Sequence, residues 1–309
     1  MANSGRTSSR GGRGGPSRPP SSRTKQARPA AARAPTRRGR TWWPWASGGV
    51  VVIVVVIILV VALLNTGSKA TATTQAPTDV VQATTSVPAG TLAAVGLGPS
   101  GIQAPKPTTG QPALTSNGLP EVLYMGAEYC PYCAAERWPM VVALSRFGTF
   151  SHLGSTESAT NDVFPGTKTF SFFGSSYSSP YVNFTSVEMQ SNQPSGNGFA
   201  TLQQPTAAQQ KLLQQYDVPP YTQSSGGIPF VDFGNRYIVS GASYSPQVLQ
   251  GKSMTAIAGS LVDPSNPMAQ NIDGTANILT AAICNMTNNQ PAQVCTTPTI
   301  TAAKATLGG

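Results

Sequence analysis

Histidine is almost missing from this chain of 309 residues: His152 is the single one. Cysteine is scarce, at four, and acidic residues number eleven. That inventory leaves little material for a metal site. Zinc would need Cys130 and Cys133 to recruit Cys284 and Cys295, because there is no second C-x-x-C. No metal and no cofactor is therefore expected, and His152 reads as a structural or surface residue. Charge is thin as well, at 10% of residues, and unevenly placed. Residues 1–64 contain ten arginines and Lys25 but no acid, whereas from residue 65 onward nine basic residues face eleven acids. The formal charge of +9 thus comes from the N-terminal part. The remainder lacks the electrostatic footprint of a nucleic-acid binder, and no nucleic acid is expected as a partner.

Residues 1–41 hold almost no large apolar side chains. A segment of Arg, Gly, Ser, Pro and Ala cannot bury enough surface to order itself, so it reads as a disordered basic tail. An RNA- or lipid-binding arm is the alternative. Charge then disappears: Trp42-Trp43-Pro44-Trp45 leads into Ala46 to Leu64 without an ionisable side chain. A helix of that length spans roughly 28 Å, close to the hydrocarbon thickness of a bilayer. Tryptophans at its start and arginines before them fit a single-pass helix over 42–64, with the N-terminus cytoplasmic and the rest extracytoplasmic. The rival is a cleaved signal peptide with Ala70-Thr-Ala72 as processing site, which the long apolar core argues against. Residues 65–88, mostly Thr, Ala, Ser, Gln and Pro, read as a flexible tether. An extracytoplasmic domain over 89–309 is expected to follow.

What is present is concentrated in Leu119 to Trp138. The apolar run Val122 to Met125 reads as a buried strand, breaks at Gly126, and delivers Cys130-Pro131-Tyr132-Cys133. A helix follows through Val141, Val142 and Leu144. At such a junction the helix's free N–H groups and dipole stabilise a thiolate at the first cysteine. Pro131 presets φ for the first turn. The second cysteine, about one turn on, can attack a mixed disulfide formed on the first. Cys130 is thus the candidate attacking thiolate, expected to be exposed, and Cys133 the more covered resolving thiol. Tyr132 is assigned a part in the thiolate's stability. Glu128 and Glu136 read as solvated surface carboxylates with, at most, a tuning role.

Ala127-Glu128-Tyr129-Cys130-Pro131-Tyr132-Cys133 resembles the active-site turn of thioredoxin-fold proteins, and Pro-Tyr between the cysteines resembles glutaredoxins. Gly226-Gly-Ile-Pro-Phe-Val-Asp-Phe-Gly234, followed by Gly241-Ala242, is similar to the thioredoxin segment that carries the cis-proline. Tyr124 through Trp138, together with Ala143-Leu-Ser-Arg-Phe-Gly148, resembles the membrane-anchored prokaryotic family called domain of unknown function 929, over roughly residues 89 to 300. The resemblance implies an α/β, thioredoxin-like domain with an inserted strand and loop region, preceded by one transmembrane helix. It also implies a substrate groove at Tyr132, Ile228 and Pro229, the last presenting backbone groups to an extended substrate if its peptide is cis. One position departs from thioredoxins: their buried aspartate, six residues before the first cysteine, is Tyr124 here, which removes the basis for a thioredoxin-like proton relay.

Elsewhere the pattern is coarser. Leu92 to Leu114 reads as an irregular segment lying on the domain, and Asn117-Gly118 as a tight turn. The aromatic stretch 147–199 reads as an insertion with strands at Phe170 to Phe172 and Tyr181 to Met189. It serves either substrate binding or plain packing. Thr206 to Tyr216 reads as a helix, Ile228 to Phe233 and Tyr237 to Val239 as a hairpin, and Val248 to Val262 and Ile272 to Met286 as helices. Cys284 and Cys295 are expected to form a structural disulfide, with a redox relay to Cys130–Cys133 as the rival. The functional expectation is a membrane-tethered, extracytoplasmic thiol–disulfide oxidoreductase. Its partners would be protein thiols or disulfides, bilayer lipid through 42–64, and a redox partner of unknown identity. The alternatives are a binding module of the same fold, or a redox sensor of the cell envelope, with Cys130–Cys133 a non-catalytic disulfide.

Overall fold

A computed structural model describes residues 72–222 and 225–308. The expected tail and the 42–64 span lie outside these residues. Among the described residues no helix is long and apolar enough to cross a membrane.

The chain forms a mixed α/β structure with several sheets. Its centre is the strand Leu119–Gly126. Val122, Leu123, Tyr124 and Met125 are each at most 2% exposed, because both faces of this strand are covered. Val122 and Tyr124 join the larger core, with Trp138, Val141 and Ile283, while Leu123 and Met125 join a second core under Tyr216. This is the period-2 alternation of a strand with two apolar sides.

Two neighbours fix the strand. Asn183–Glu188 pairs with it in parallel, with Glu121 opposite Asn183 and Gly126 opposite Glu188. Phe230–Phe233 pairs antiparallel on the other side, followed by Tyr237–Ser240 and the edge strand Lys106–Pro107. Both hairpin turns follow the sequence signals. Asn117 and Gly118 have φ of 50° and 78°, and Gly234 and Asn235 have φ of 68° and 56°, conformations that glycine and asparagine tolerate.

The helix Pro131–Ser145 and the long helix Pro267–Met286 pack together on one face. Trp138, fully buried, packs edge-on to Phe170 and donates its indole N–H to the Lys168 carbonyl over 3.1 Å. The helix Ala207–Tyr216 covers the opposite face. Its N-terminus is closed by a reciprocal capping box between Thr206 and Gln209.

Four expectations change. The stretch expected as tether over 65–88 is structured from Thr74: the helix Thr78–Thr85 packs on the domain, with Val80 1% exposed. A short apolar stripe in a Thr- and Ala-rich segment suffices once a surface exists to receive it. Within 92–114, the helix Ala89–Val95 ends at Asn277, whose amide donates to the Leu92 and Gly96 carbonyls. The expected helix over 248–262 is two pieces, a 3-10 turn at Pro246–Leu249 and a helix at Met254–Ser260. They are separated at Gly251, with φ of 69°. Finally, Asn183–Glu188, read as part of an insertion, is an integral strand of the central sheet.

Candidate functional site

The strand-to-helix junction places both cysteines. Cys130 is the N-cap of the Pro131–Ser145 helix, with Pro131 at its first position. The Cys130 sulfur accepts the Cys133 amide N–H over 3.3 Å and lies 3.6 Å from the Ile228 carbonyl. Both cysteines are free thiols. Their environments split them. The hydrogen bond from the Cys133 side chain lowers the Cys130 pKa, helped by the Cys133 amide and the Arg137 charge and opposed by burial. Burial pushes Cys133 well up, and its interaction with Cys130 adds to that. The two environments thus favour a thiolate at Cys130 over one at Cys133. Cys130 is not exposed as expected, however: it is 5% exposed and Cys133 0%.

Ile228 and Pro229 are joined by a cis peptide next to Cys130. Tyr132 is 41% exposed and meets Phe164 edge-on at 5.9 Å between ring centroids. Tyr129 stacks on Phe199 at 4.4 Å. Both partner rings come from the 147–199 stretch, which therefore walls the cysteines. A cavity of about 590 Å³ opens beside Tyr132, lined also by Tyr221, Gly227, Gly241 and Ser243 among others, with neither cysteine in its lining.

A charged layer lies beneath, and the sequence reading missed most of it. Arg137, fully buried, binds Glu188 bidentately, Nε to Oε1 at 2.8 Å and Nη2 to Oε2 at 2.7 Å. Its Nη2 also donates to the Ala127 carbonyl at 2.9 Å, and its guanidinium carbon sits 5.7 Å from the centre of the Tyr124 ring. Arg137 is one helical turn beyond Cys133, a spacing visible in the sequence. Glu188 had no such signal: the parallel register opposite Gly126 brings it there.

Glu128 and Glu136 are corrected. They are 1% and 0% exposed, not solvated. Glu128 accepts the Ser171 hydroxyl at 2.5 Å. Glu136 accepts the Ser243 amide at 2.8 Å and hydroxyl at 3.0 Å. Burial raises its pKa to about 7 against the lowering effect of Ser243. It anchors the cysteine helix to the loop that lines the cavity.

Cys284 and Cys295 are joined by a disulfide, with Cα atoms 5.5 Å apart. It ties the end of the Pro267–Met286 helix to the short helix Ala292–Cys295. Among the described residues no three His, Cys, Asp or Glu side chains group as a metal would require. His152 is exposed on a turn, with φ of 59°.

The family model described as Domain of unknown function (DUF929) matches residues 109–285. The chain belongs to this family. The DUF929 match takes in the Cys130–Cys133 turn, Ile228-Pro229 and Cys284, and stops short of Cys295. No curated protein and no solved structure matches the chain.

Proposed function

We propose that this DUF929 protein is a thiol–disulfide oxidoreductase acting on protein thiols through Cys130 and Cys133. The observation that carries the reading is the asymmetry of the two sulfurs: Cys130 caps the helix and accepts the Cys133 amide, whereas Cys133 is sealed beneath it. Cys130 would attack a substrate disulfide, or be attacked as part of one, and Cys133 would resolve the mixed disulfide. Ile228 and Pro229, with Tyr132, would form the groove for the substrate segment. A thioredoxin-like fold is part of the proposal. Its support is the sheet order Asn183–Glu188, Leu119–Gly126, Phe230–Phe233, Tyr237–Ser240, parallel at the first pairing and antiparallel at the next two. The Arg-rich segment and uncharged run at 42–64 support a single-pass anchor with the domain outside, where a Cys284–Cys295 disulfide is chemically at home.

Trapping tests this reading. In Cys133→Ser the release step is gone, so envelope proteins should accumulate as mixed disulfides on Cys130 and vanish on reduction. Cys130→Ser should trap few or none. The slight exposure of Cys130, 5%, favours a second reading: a binding module or redox sensor whose Cys130–Cys133 disulfide, once formed, is not catalytic. The reduction potential separates them, since catalytic pairs of this kind lie roughly between −270 and −120 mV and structural disulfides below about −300 mV. Absence of adducts in a folded, expressed Cys133→Ser protein, with a potential in the lower range, rejects the oxidoreductase.

A further inference from the structure

Two buried polar atoms beneath the cysteines have no hydrogen-bond partner among the described residues: Tyr124 Oη and Arg137 Nη1. Unpaired buried donors are destabilising, so their placement calls for a use. Gly126 shows where the phenol points. A Cβ built on Gly126 would stand 2.2 Å from Tyr124 Oη and 3.1 Å from Cys133 Sγ. The hydroxyl and the resolving sulfur therefore converge on the place that a side chain at residue 126 would fill. Tyr124 is itself fixed, 0% exposed, edge-on to Phe172 at 5.1 Å and set against the Arg137 guanidinium.

We propose that the Tyr124 hydroxyl is the hydrogen-bond donor that stabilises the Cys133 thiolate as it resolves the mixed disulfide, with the Arg137–Glu188 pair as the positioning group behind the ring. The inference rests on the oxidoreductase reading of Cys130 and Cys133. In the step, the Cys133 sulfur bonds to Cys130 Sγ, the bond between Cys130 Sγ and the substrate sulfur breaks, and the substrate leaves as thiolate. The proton lost from Cys133 ends on that leaving thiolate, so no external oxidant or base is consumed. Tyr124 gives up no proton. Burial holds its pKa well above the usual value, against the pull of Arg137, and it remains a donor throughout. The resting thiol at Cys133 has little need of this donor, while the transient thiolate does, which makes the interaction specific to the step. The charged and titratable groups around the pair are Arg137 from the same helix as Cys133, Glu188 from the parallel strand, Tyr129 from the turn before the helix, and Cys130.

Tyr124→Phe in the full-length protein isolates the effect. The ring and its packing stay, and no buried partner is orphaned, because the hydroxyl has none among the described residues. The reduced protein is mixed with an aryl disulfide that releases coloured thionitrobenzoate. The first release reports attack by Cys130 and the second reports resolution by Cys133. The expected result is a first phase within about twofold of wild type and a second phase slowed roughly ten- to hundredfold, the size of a hydrogen bond to a charged atom. The pH midpoint of the second phase should move upward. An unchanged second phase overturns the inference, as does equal slowing of both phases, which marks general disturbance of the site. Absence of any second release in wild type overturns the oxidoreductase reading, and this inference with it.

Discussion

The Tyr244 hydroxyl donates to the Ala135 carbonyl over 2.8 Å, at the position where Pro139 withholds a donor. In a regular helix residue 139 would supply the amide that closes on residue 135, and proline has none. A side chain from the loop after the Tyr237–Ser240 strand thus completes the hydrogen bonding of the cysteine helix.

Tyr244→Phe leaves that buried carbonyl unpaired and should cost about 1–3 kcal/mol in urea unfolding. Pro139→Ala restores the amide. The Tyr244→Phe penalty should therefore shrink to a few tenths of a kcal/mol when both changes are combined. A penalty of the same size in the Pro139→Ala background would refute the exchange of donors.

Stability should fall as pH rises above the carboxylate range. Burial lifts Glu136 from 4.5 to about 7, Asp232 from 3.8 to about 7 and Asp273 from 3.8 to about 8. In these groups the folded state holds protons that the unfolded chain has already released. Their stabilisation is complete below about pH 4 and is lost progressively as pH climbs toward 7–8. Both Asp273 oxygens lack a partner among the described residues. Asp273→Asn should therefore raise the melting temperature at pH 8 and matter little at pH 4. A wild-type protein more stable at pH 8 than at pH 5 would contradict these assignments.

Removing the Arg137–Glu188 pair piecemeal should be worse than removing it whole. Arg137→Met leaves a buried carboxylate uncompensated, at a cost of about 3–5 kcal/mol. Adding Glu188→Gln removes that charge and should recover more than half of the loss. Denaturant titration of the single and double variants gives the coupling directly, and additive losses would deny it.

Replacing Cys284 and Cys295 together by serine should destabilise the domain by about 3 kcal/mol. It should leave the reactivity of Cys130 within about twofold, since that disulfide belongs to the helical layer. Alkylation rates and thermal melts on one sample measure both. A collapse in Cys130 reactivity at temperatures where the variant is still folded would instead point to a relay between the two pairs.

The sequence disclosed what depends on neighbours in the chain. The strand ending at Gly126, the helix starting just after Cys130, the two turns with asparagine and glycine, and the helix from Thr206 each follow from local residue chemistry. The sequence did not disclose what depends on sheet register and packing. Glu136 and Glu128 looked like surface acids because a helix position says nothing of what lies opposite, and Ser243 and Ser171 arrive from distant strands and loops. Glu188 became visible only through its register against Gly126. Val80 and Thr84 gave too weak an apolar signal to reveal that residues 78–85 are part of the folded body.

The parallel pairing that sets residue 121 against residue 183 bears on the order in which the surroundings of the two cysteines are assembled. A long intervening chain must close before that strand docks, and such non-local contacts form late and slowly. Until then Glu188 is not beside Arg137, and Phe199 is not stacked on Tyr129. A nascent chain would thus present its cysteine turn before the buried ion pair and the stacked ring that enclose it are in place.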